Sequence, residues 1–269
     1  MKSFLVFTWL IGIAFTCFSQ QQKKNGQGNI DLRVASFNVE FGHHASAEDI
    51  GEMFKKWNLD IICFNEVPGG DWTMRVGQVL GMKYSYTGTT SSADHKDKYK
   101  SILSKTPLIK TEEYQVYGEG WLPASTVRAV TVINEMPIAI YALHISGWGD
   151  TPPTSQAKYL AEQILLKEET PQVFVMGDFN NHIDNPVMSV FEKNNFGNTW
   201  VSLNKDLTGQ WTSWDEYTKE KFGVIDHILF KNNKSIKVKD GGIIELPDLL
   251  SDHKPIWAEF LFKDTHIKK

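Results

Sequence analysis

The stretch Val173-Phe174-Val175-Met176-Gly177-Asp178-Phe179-Asn180 sets the reading of the whole chain. Its apolar start, with two β-branched valines, describes a short strand buried on both faces. The run then breaks at Gly177 into an acid and an amide. Charged groups rarely sit beside a buried strand unless they are paired or bind a metal. In α/β sheets, the strand ends are also where ligands bind. The same design recurs along the chain. Phe37-Asn38-Val39-Glu40 closes the apolar run Leu32–Val39, and Asn65-Glu66 closes Ile61–Phe64. His144 lies in Ala142-Leu143-His144-Ile145-Ser146, Asp226-His227 opens Ile228–Phe230, and Ser251-Asp252-His253 precedes Pro255–Phe260. Period-two geometry places Asp178 and Asn180 on one side of their strand, and Ile62, Phe64 and Glu66 on one side of theirs.

Helical signals fall between these strands. Over Ser46–Trp57, Ser46 and Asp49 make a capping box, and Ile50, Met53, Phe54 and Trp57 share a face. Further helices are expected over Trp72–Leu80, over Thr154–Lys167 after Pro152-Pro153, and over Pro186–Phe191 with Asn185 as cap. Tyr84 to Leu108 reads as a strand-and-loop region. Val127–Ile133 and Ile138–Ile145 read as adjacent strands about a turn at Asn134–Pro137. No repeat, long linker or low-complexity tract follows residue 29. The expectation is one α/β domain over 31–263, its sheets covered by helices, with a short tail at 264–269.

Composition narrows the function. The chain has 269 residues, 41% of them hydrophobic, and 28 Lys+Arg against 32 Asp+Glu give a net charge of -4. That is an ordinary globular mix, which excludes disordered, collagen-like and coiled-coil classes. It also generates no field for coating nucleic acid or an anionic membrane. Lys2 followed by the apolar run Phe4–Phe15 has signal-peptide length, too short to span a bilayer. Cys17 and Ser19 stand at the -3 and -1 positions of a cleavage site. Residues 1–19 are therefore read as a signal peptide and 20–30 as a flexible tether, so that the mature chain is periplasmic or secreted, without a transmembrane segment. Simple export is preferred over lipidation at Cys17, because bulky Phe15 stands where small residues are wanted. The other cysteine, Cys63, lies in an apolar run and reads as a buried inert thiol.

The strand-end residues suit one kind of chemistry. Glu66, Asp252 and Asn38 are hard oxygen ligands without cysteine, which points to Mg²⁺, Mn²⁺ or Ca²⁺ rather than zinc. Hydrolysis of a phosphoester needs a cation, donors to the phosphate oxygens and a positioned water. His144, His253 and Asn180 can donate, Asp178 can take a proton from water, and Asp226 can hold a histidine protonated. No Gly-x-Ser-x-Gly elbow or phosphate-binding Gly-Lys loop is present, so acyl transfer and nucleotide switching have no support.

The series SFNVE (36–40), FNEV (64–67), LHIS (143–146), GDFN (177–180), IDHIL (225–229) and SDHKP (251–255) resembles the endonuclease/exonuclease/phosphatase superfamily, in order and spacing, over about residues 31–262. The resemblance implies a four-layer α/β/β/α sandwich of two packed mixed sheets flanked by helices, with the site at one end between the sheets. It implies a metal-dependent hydrolase of ester bonds, with Mg²⁺ or Mn²⁺ on Glu66, Asn38 and Asp252. Asp178 would activate the attacking water and Asn180 orient it; His253, paired with Asp226, and His144 would contact the phosphate. Arg128 resembles a basic position of the family, which implies a substrate-binding residue there. Asn65 departs from the pattern, where the family usually has Gln before its metal-binding Glu, and signatures of the inositol 5-phosphatases are absent after GDFN.

The implied substrate is a phosphodiester or nucleic acid. The alternatives are a phosphatase of a sugar, inositol or lipid headgroup and, from another class, a non-catalytic binding protein on the same fold. Intact Glu66, Asp178 and His253 argue against the last, and nothing calls for a stable protein partner. Trp148 and Trp214, with Trp211, sit in loops expected at the mouth, as packing or as a stacking platform for a base or sugar. Trp121 is read as core packing or, less favoured, as a lipid-touching ring. Lys96, Lys98, Lys100 and Lys105 read as a solvated basic stretch or a seat for an anionic substrate. His43, His44 and His95 read as solvated, and His182 as lining the rim.

Overall fold

The computed structural model describes residues 29–147 and 153–263. The proposed leader with Cys17, the tether up to residue 28, the tail and Trp148 lie outside the described residues. In chain order the elements are β1 (Asn29–Asn38), α1 (Ala47–Phe54), β2 (Ile61–Val67), α2 (Trp72–Leu80), β3 (Tyr84–Thr87) and β4 (Tyr99–Ser104). Then come β5 (Leu108–Val116), β6 (Ala124–Ile133), β7 (Met136–His144), α3 (Ser155–Tyr159), β8 (Gln172–Asp178) and α4 (Pro186–Lys193). The chain continues through β9 (Phe196–Asn198), α5 (Thr199–Ser202), β10 (Asp226–Lys231), β11 (Ile236–Ile243) and β12 (Ile256–Lys263).

Local sequence explains the helix ends. Ser46 Oγ accepts the Asp49 N–H at 3.2 Å while Asp49 accepts the Ser46 N–H at 3.0 Å, the reciprocal capping box expected for α1. Asn185 accepts the Val187 N–H at 3.1 Å to open α4, and Gly81, at φ +69°, closes α2. The helix expected over 154–167 is composite: α3 passes into a π-helical turn at Leu160–Ile164 and a 3₁₀ turn at Leu165–Lys167.

The strands form two six-stranded mixed sheets, ordered β11-β12-β1-β2-β4-β3 and β5-β6-β7-β8-β10-β9. Their facing surfaces bury Val34, Ile61, Ile102 and Ala258 against Val127, Ile140, Phe174 and Ile228. On the outer face of the first sheet, Phe37, Ile62 and Phe64 pack with Ile50, Phe54 and Val76 of α1 and α2. On the outer face of the second, Val173, Val175 and Tyr141 pack with Leu160, Ile164, Val187 and Phe191. Each fully buried Phe or Leu in these layers contributes about 1.5–3 kcal/mol from leaving water. The fold is the four-layer α/β/β/α sandwich implied by the sequence.

Alternation along β2 fails at Glu66. Ile62 and Phe64 face the helices, so strict alternation would send Glu66 there too. Instead the β2–β4 register shifts between Phe64 and Val67, and Glu66 adopts φ +52°. A bulge of this kind re-aims one side chain, here towards β7, at a cost in backbone strain.

Candidate active site

Strand register alone gathers half of the site. In the second sheet His144 ends β7 opposite Asp178 at the end of β8, and Asp178 faces Asp226 at the start of β10. Three titratable residues thus lie in one row across adjacent strands. In the first sheet Asn38 of β1 pairs with Asn65 of β2. The rows meet across the sandwich: Asn38 Nδ2 donates to Asp178 Oδ2 at 3.1 Å, and Asn65 accepts the Asp178 N–H at 3.2 Å while donating to the Leu143 carbonyl. Gly177 makes this approach possible. It has φ +153°, and a Cβ there would lie 2.0 Å from the Leu143 carbonyl oxygen.

His253 lies at the centre of the charge pattern. Its Nδ1 is 2.9 Å from Asp226 Oδ2, and its Nε2 is 3.6 Å from Asp178 Oδ2. The Ser251 hydroxyl accepts the His253 N–H at 3.1 Å and donates to the Asn38 carbonyl at 2.8 Å, tying the loop before β12 to the end of β1. Burial disfavours a charged His253, but Asp226 and then Asp178 outweigh it and hold the imidazole well above its ordinary value. Burial likewise lifts the Asp178 carboxyl above the usual carboxylate range; His253 opposes the rise, and Asp226 and Glu66 add to it. His144 behaves oppositely. Burial, followed by the charges of Lys100, Lys98 and His253, keeps it neutral. Its Nε2 is 3.5 Å from Asp178 Oδ2, and its buried Nδ1 has no hydrogen-bond partner. Asn180, at φ +51°, donates its backbone N–H to Asp178 Oδ1 at 2.8 Å and its side-chain amide to the Ile145 carbonyl at 3.0 Å.

The expected cation ligands lie along the first sheet's edge of this cluster. Glu66 is 6% exposed, with Oε1 3.8 Å from His144 Nδ1 and Oε2 paired to Lys98 Nζ at 2.9 Å. Asp252 immediately precedes His253 and is half-buried, its N–H donated to Glu40 Oε2 at 3.1 Å. Asn38 Oδ1 already accepts the Glu40 N–H at 3.1 Å and retains one lone pair. Carboxylate and amide oxygens suit a hard divalent ion. The orphaned His144 Nδ1 beside Glu66, and the Lys98 ammonium drawn onto Glu66, both mark a place made for a positive charge and polar oxygens. The residues fit the implied cation.

Comparison with known proteins agrees with this geometry. The sequence model of the Endonuclease/Exonuclease/phosphatase family matches residues 35–253. The chain belongs to that family. Among solved structures, the endonuclease/exonuclease/phosphatase family protein of Bacteroides thetaiotaomicron superposes with TM-score 0.67 at 18% identity, over 87% of this chain and 98% of its own. The D. rerio TDP2 bound to a single-stranded DNA product gives TM-score 0.67 at 13% identity, over 86% and 98%. A mannosyl-6-phosphatase of B. thetaiotaomicron gives 0.66 at 18%, over 86% and 100%. These likenesses show the fold. A comparison with curated proteins finds no match.

Several of this endonuclease/exonuclease/phosphatase chain's residues stand elsewhere than the sequence implied. Arg128, expected at the substrate, is buried on the helix-facing side of the second sheet. It donates to Glu168 at 2.5 and 3.0 Å and to Glu112 at 2.9 Å, so its guanidinium is committed within the fold. Of the four lysines, Lys96 is exposed as expected and the other three are engaged within the fold. Lys98 sits on Glu66, Lys105 pairs with Asp60, and Lys100 is fully buried, donating to the Thr90 carbonyl at 2.9 Å. Trp121 packs edge-on against His144 with centroids 4.9 Å apart. Trp214 donates its backbone N–H to the Asp252 carbonyl at 3.0 Å, and its ring lies under Lys219, beside the site. His182 lines a 260 Å³ cavity with Asn180, Asn181 and Lys221. His227, adjacent to Asp226, is structural: its Nε2 donates to the Asn181 carbonyl at 2.7 Å, and burial lowers its pKa to about 4.

Proposed function

We propose that this chain is an exported, Mg²⁺- or Mn²⁺-dependent phosphoesterase acting by direct attack of water, with a phosphodiester such as nucleic acid as its substrate class. One observation carries the reading: a buried carboxylate, Asp178, stands within 3.6 Å of two imidazoles that differ in charge. A carboxyl lifted towards neutrality is a better base than an ordinary aspartate. A cation held by Glu66, Asp252 and Asn38 would neutralise charge on the phosphate oxygens. Asp178 takes the proton of the water as its oxygen bonds to phosphorus and the P–O bond to the leaving group breaks. The Asn180 N–H and Asn38 amide fix the Asp178 carboxylate. His253, kept protonated by Asp226, and neutral His144 donate to the phosphate oxygens, where charge grows. No covalent intermediate is needed, consistent with a buried, unreactive Cys63 whose thiol burial pushes up. The leader pattern around Lys2 and Phe4–Phe15 supports export to the periplasm or medium. Among the described residues, no helix is long and apolar enough to cross a membrane.

The test is a panel of plasmid DNA, RNA, a generic diester, a generic monoester, sphingomyelin, inositol phosphates and hexose phosphates, with Mg²⁺ or Mn²⁺ and a chelator control. Diester cleavage abolished by chelator supports the proposal. Monoester cleavage without any diester cleavage makes the protein a phosphatase of a sugar, inositol or lipid phosphate. Asp178→Asn and His253→Ala should each lower kcat by about 10²-fold or more. Near wild-type rates in both would overturn this mechanism, and cleavage of nothing on the panel would leave the non-catalytic reading.

A further inference from the structure

A second group of ligating side chains lies outside the cluster around Asp178. The turn after β1 carries His43 and His44 side by side, with ring centroids 4.7 Å apart. The loop between α5 and β10 brings Glu216 to them. One ligand atom from each of His43, His44 and Glu216 lies within 4.8 Å of the other two. His44 Nε2 points between two carboxylates, 3.0 Å from Glu40 Oε2 and 3.5 Å from Glu216 Oε2. An ion with ligands at about 2.0–2.1 Å in tetrahedral array needs donor atoms about 3.3 Å apart. The His44–Glu216 separation already meets that spacing, and the half-exposed side chains need only small rotations to complete it.

We propose that His43, His44 and Glu216 form a binding site for a borderline transition-metal ion of the Zn²⁺ class, separate from the oxygen-lined cluster of Glu66, Asn38 and Asp252. Donor chemistry distinguishes the two places. Two imidazoles and one carboxylate prefer Zn²⁺, Co²⁺ or Ni²⁺, whereas an all-oxygen set prefers Mg²⁺ or Mn²⁺. The ion would sit where His44 Nε2 now faces the carboxylates, and leaves a fourth position to water or Glu40. Binding there also has a structural effect. It joins the turn at 40–44 to the loop carrying Trp214 and Glu216, whose backbone is bonded to Asp252. Glu40, which holds the Asp252 N–H, lies between the two places.

The untagged chain, stripped with chelator and supplied with millimolar Mg²⁺, should take up one Co²⁺ with a visible d–d band of low-symmetry, near-tetrahedral type, and stoichiometric Zn²⁺ should bleach it. His43→Ala and His44→Ala should each weaken uptake by roughly 100-fold. Glu216→Gln should weaken it measurably, and Glu66→Gln should leave the band intact. Unfolding curves of the variants, matched to the parent in the absence of metal, establish that exposed side chains were removed without loss of fold. Absence of the band, its loss in excess Mg²⁺, its persistence in both histidine variants, or its loss in Glu66→Gln would each overturn the assignment.

Discussion

Replacing Glu168 with glutamine separates two readings of Arg128, as a substrate contact or as part of the fold. The Glu168 carboxylate is buried and accepts from Arg128, from the Tyr141 hydroxyl at 2.7 Å and from the Thr170 N–H at 2.8 Å. Burial raises its pKa, but the Arg128 fork, with Thr170 and Tyr141, prevails and holds the carboxyl at about 2. The interval from the usual 4.5 down to about 2, at about 1.4 kcal/mol per pH unit, corresponds to about 3 kcal/mol of stability. Breaking one side of a buried ion pair costs about 3–5 kcal/mol, and Arg128 retains Glu112 at 2.9 Å, so the lower end applies. The folded value lies below the unfolded one. The contribution is therefore complete above pH 4.5 and is lost as pH falls towards 2. In urea at pH 7, Glu168→Gln should unfold about 1 M earlier than the parent, given a slope of about 2–3 kcal/mol/M. At pH 3 the deficit should shrink to less than half. The kcat/KM of the folded variant should stay within about threefold of the parent, because effects on transition-state binding need contact with the substrate. Parental stability at pH 7, or a large loss of kcat/KM at parental stability, would refute the structural role.

Three further outcomes follow from buried charges. Lys100 has its pKa lowered to about 8 by burial, against the opposing pull of Glu113 and Glu66, so below pH 8 it stays charged at a cost in stability. Between pH 8 and 10.5 the unfolded chain holds one more proton, and the parent should gain about 3 kcal/mol relative to Lys100→Met. Urea melts of both proteins at pH 7.5 and 10 read this, and a constant difference would contradict it. Lys98→Met removes the ammonium on Glu66 and should tighten Mn²⁺ or Mg²⁺ binding about tenfold, as read by titration calorimetry; unchanged or weaker binding would oppose competition for that carboxylate. Asp226→Asn should lower kcat by about 10²-fold or more and move the His253 titration downward in NMR, so that the pH–rate profile loses its alkaline shoulder. An unshifted His253 would show that Asp226 does not hold the charge.

What the sequence made legible was local. An apolar run ending in a polar pair is visible within eight residues, and each such ending lies in or beside the cluster around Asp178. The capping box at Ser46 and the Asn185 cap are equally local, and both form. The errors came from partners distant in sequence. Arg128 looks like a free cation until Glu168, forty positions on, is folded against it. Lys98 and Lys100 look alike in the primary chain, yet one meets Glu66 across the bulge and the other is enclosed within β4. Edge strands β5 and β11 escaped notice because their solvated faces carry Lys, Glu and Asp, which masks alternation. The aim of Glu66 was illegible because period two presumes a regular ladder, and β2 departs from one at that residue.

The placement of β1 has a consequence for the timing of function. The first described strand is an inner one, lying between β2 and β12, the last described strand. The first sheet therefore stays unfinished until β12, which emerges hundreds of residues later, has paired with it. Asp252 and His253 arrive just ahead of that strand, so a chain still emerging from the ribosome carries Asn38 and Glu66 without their counterparts. The cluster around Asp178 is therefore complete only once this last pairing has closed the first sheet.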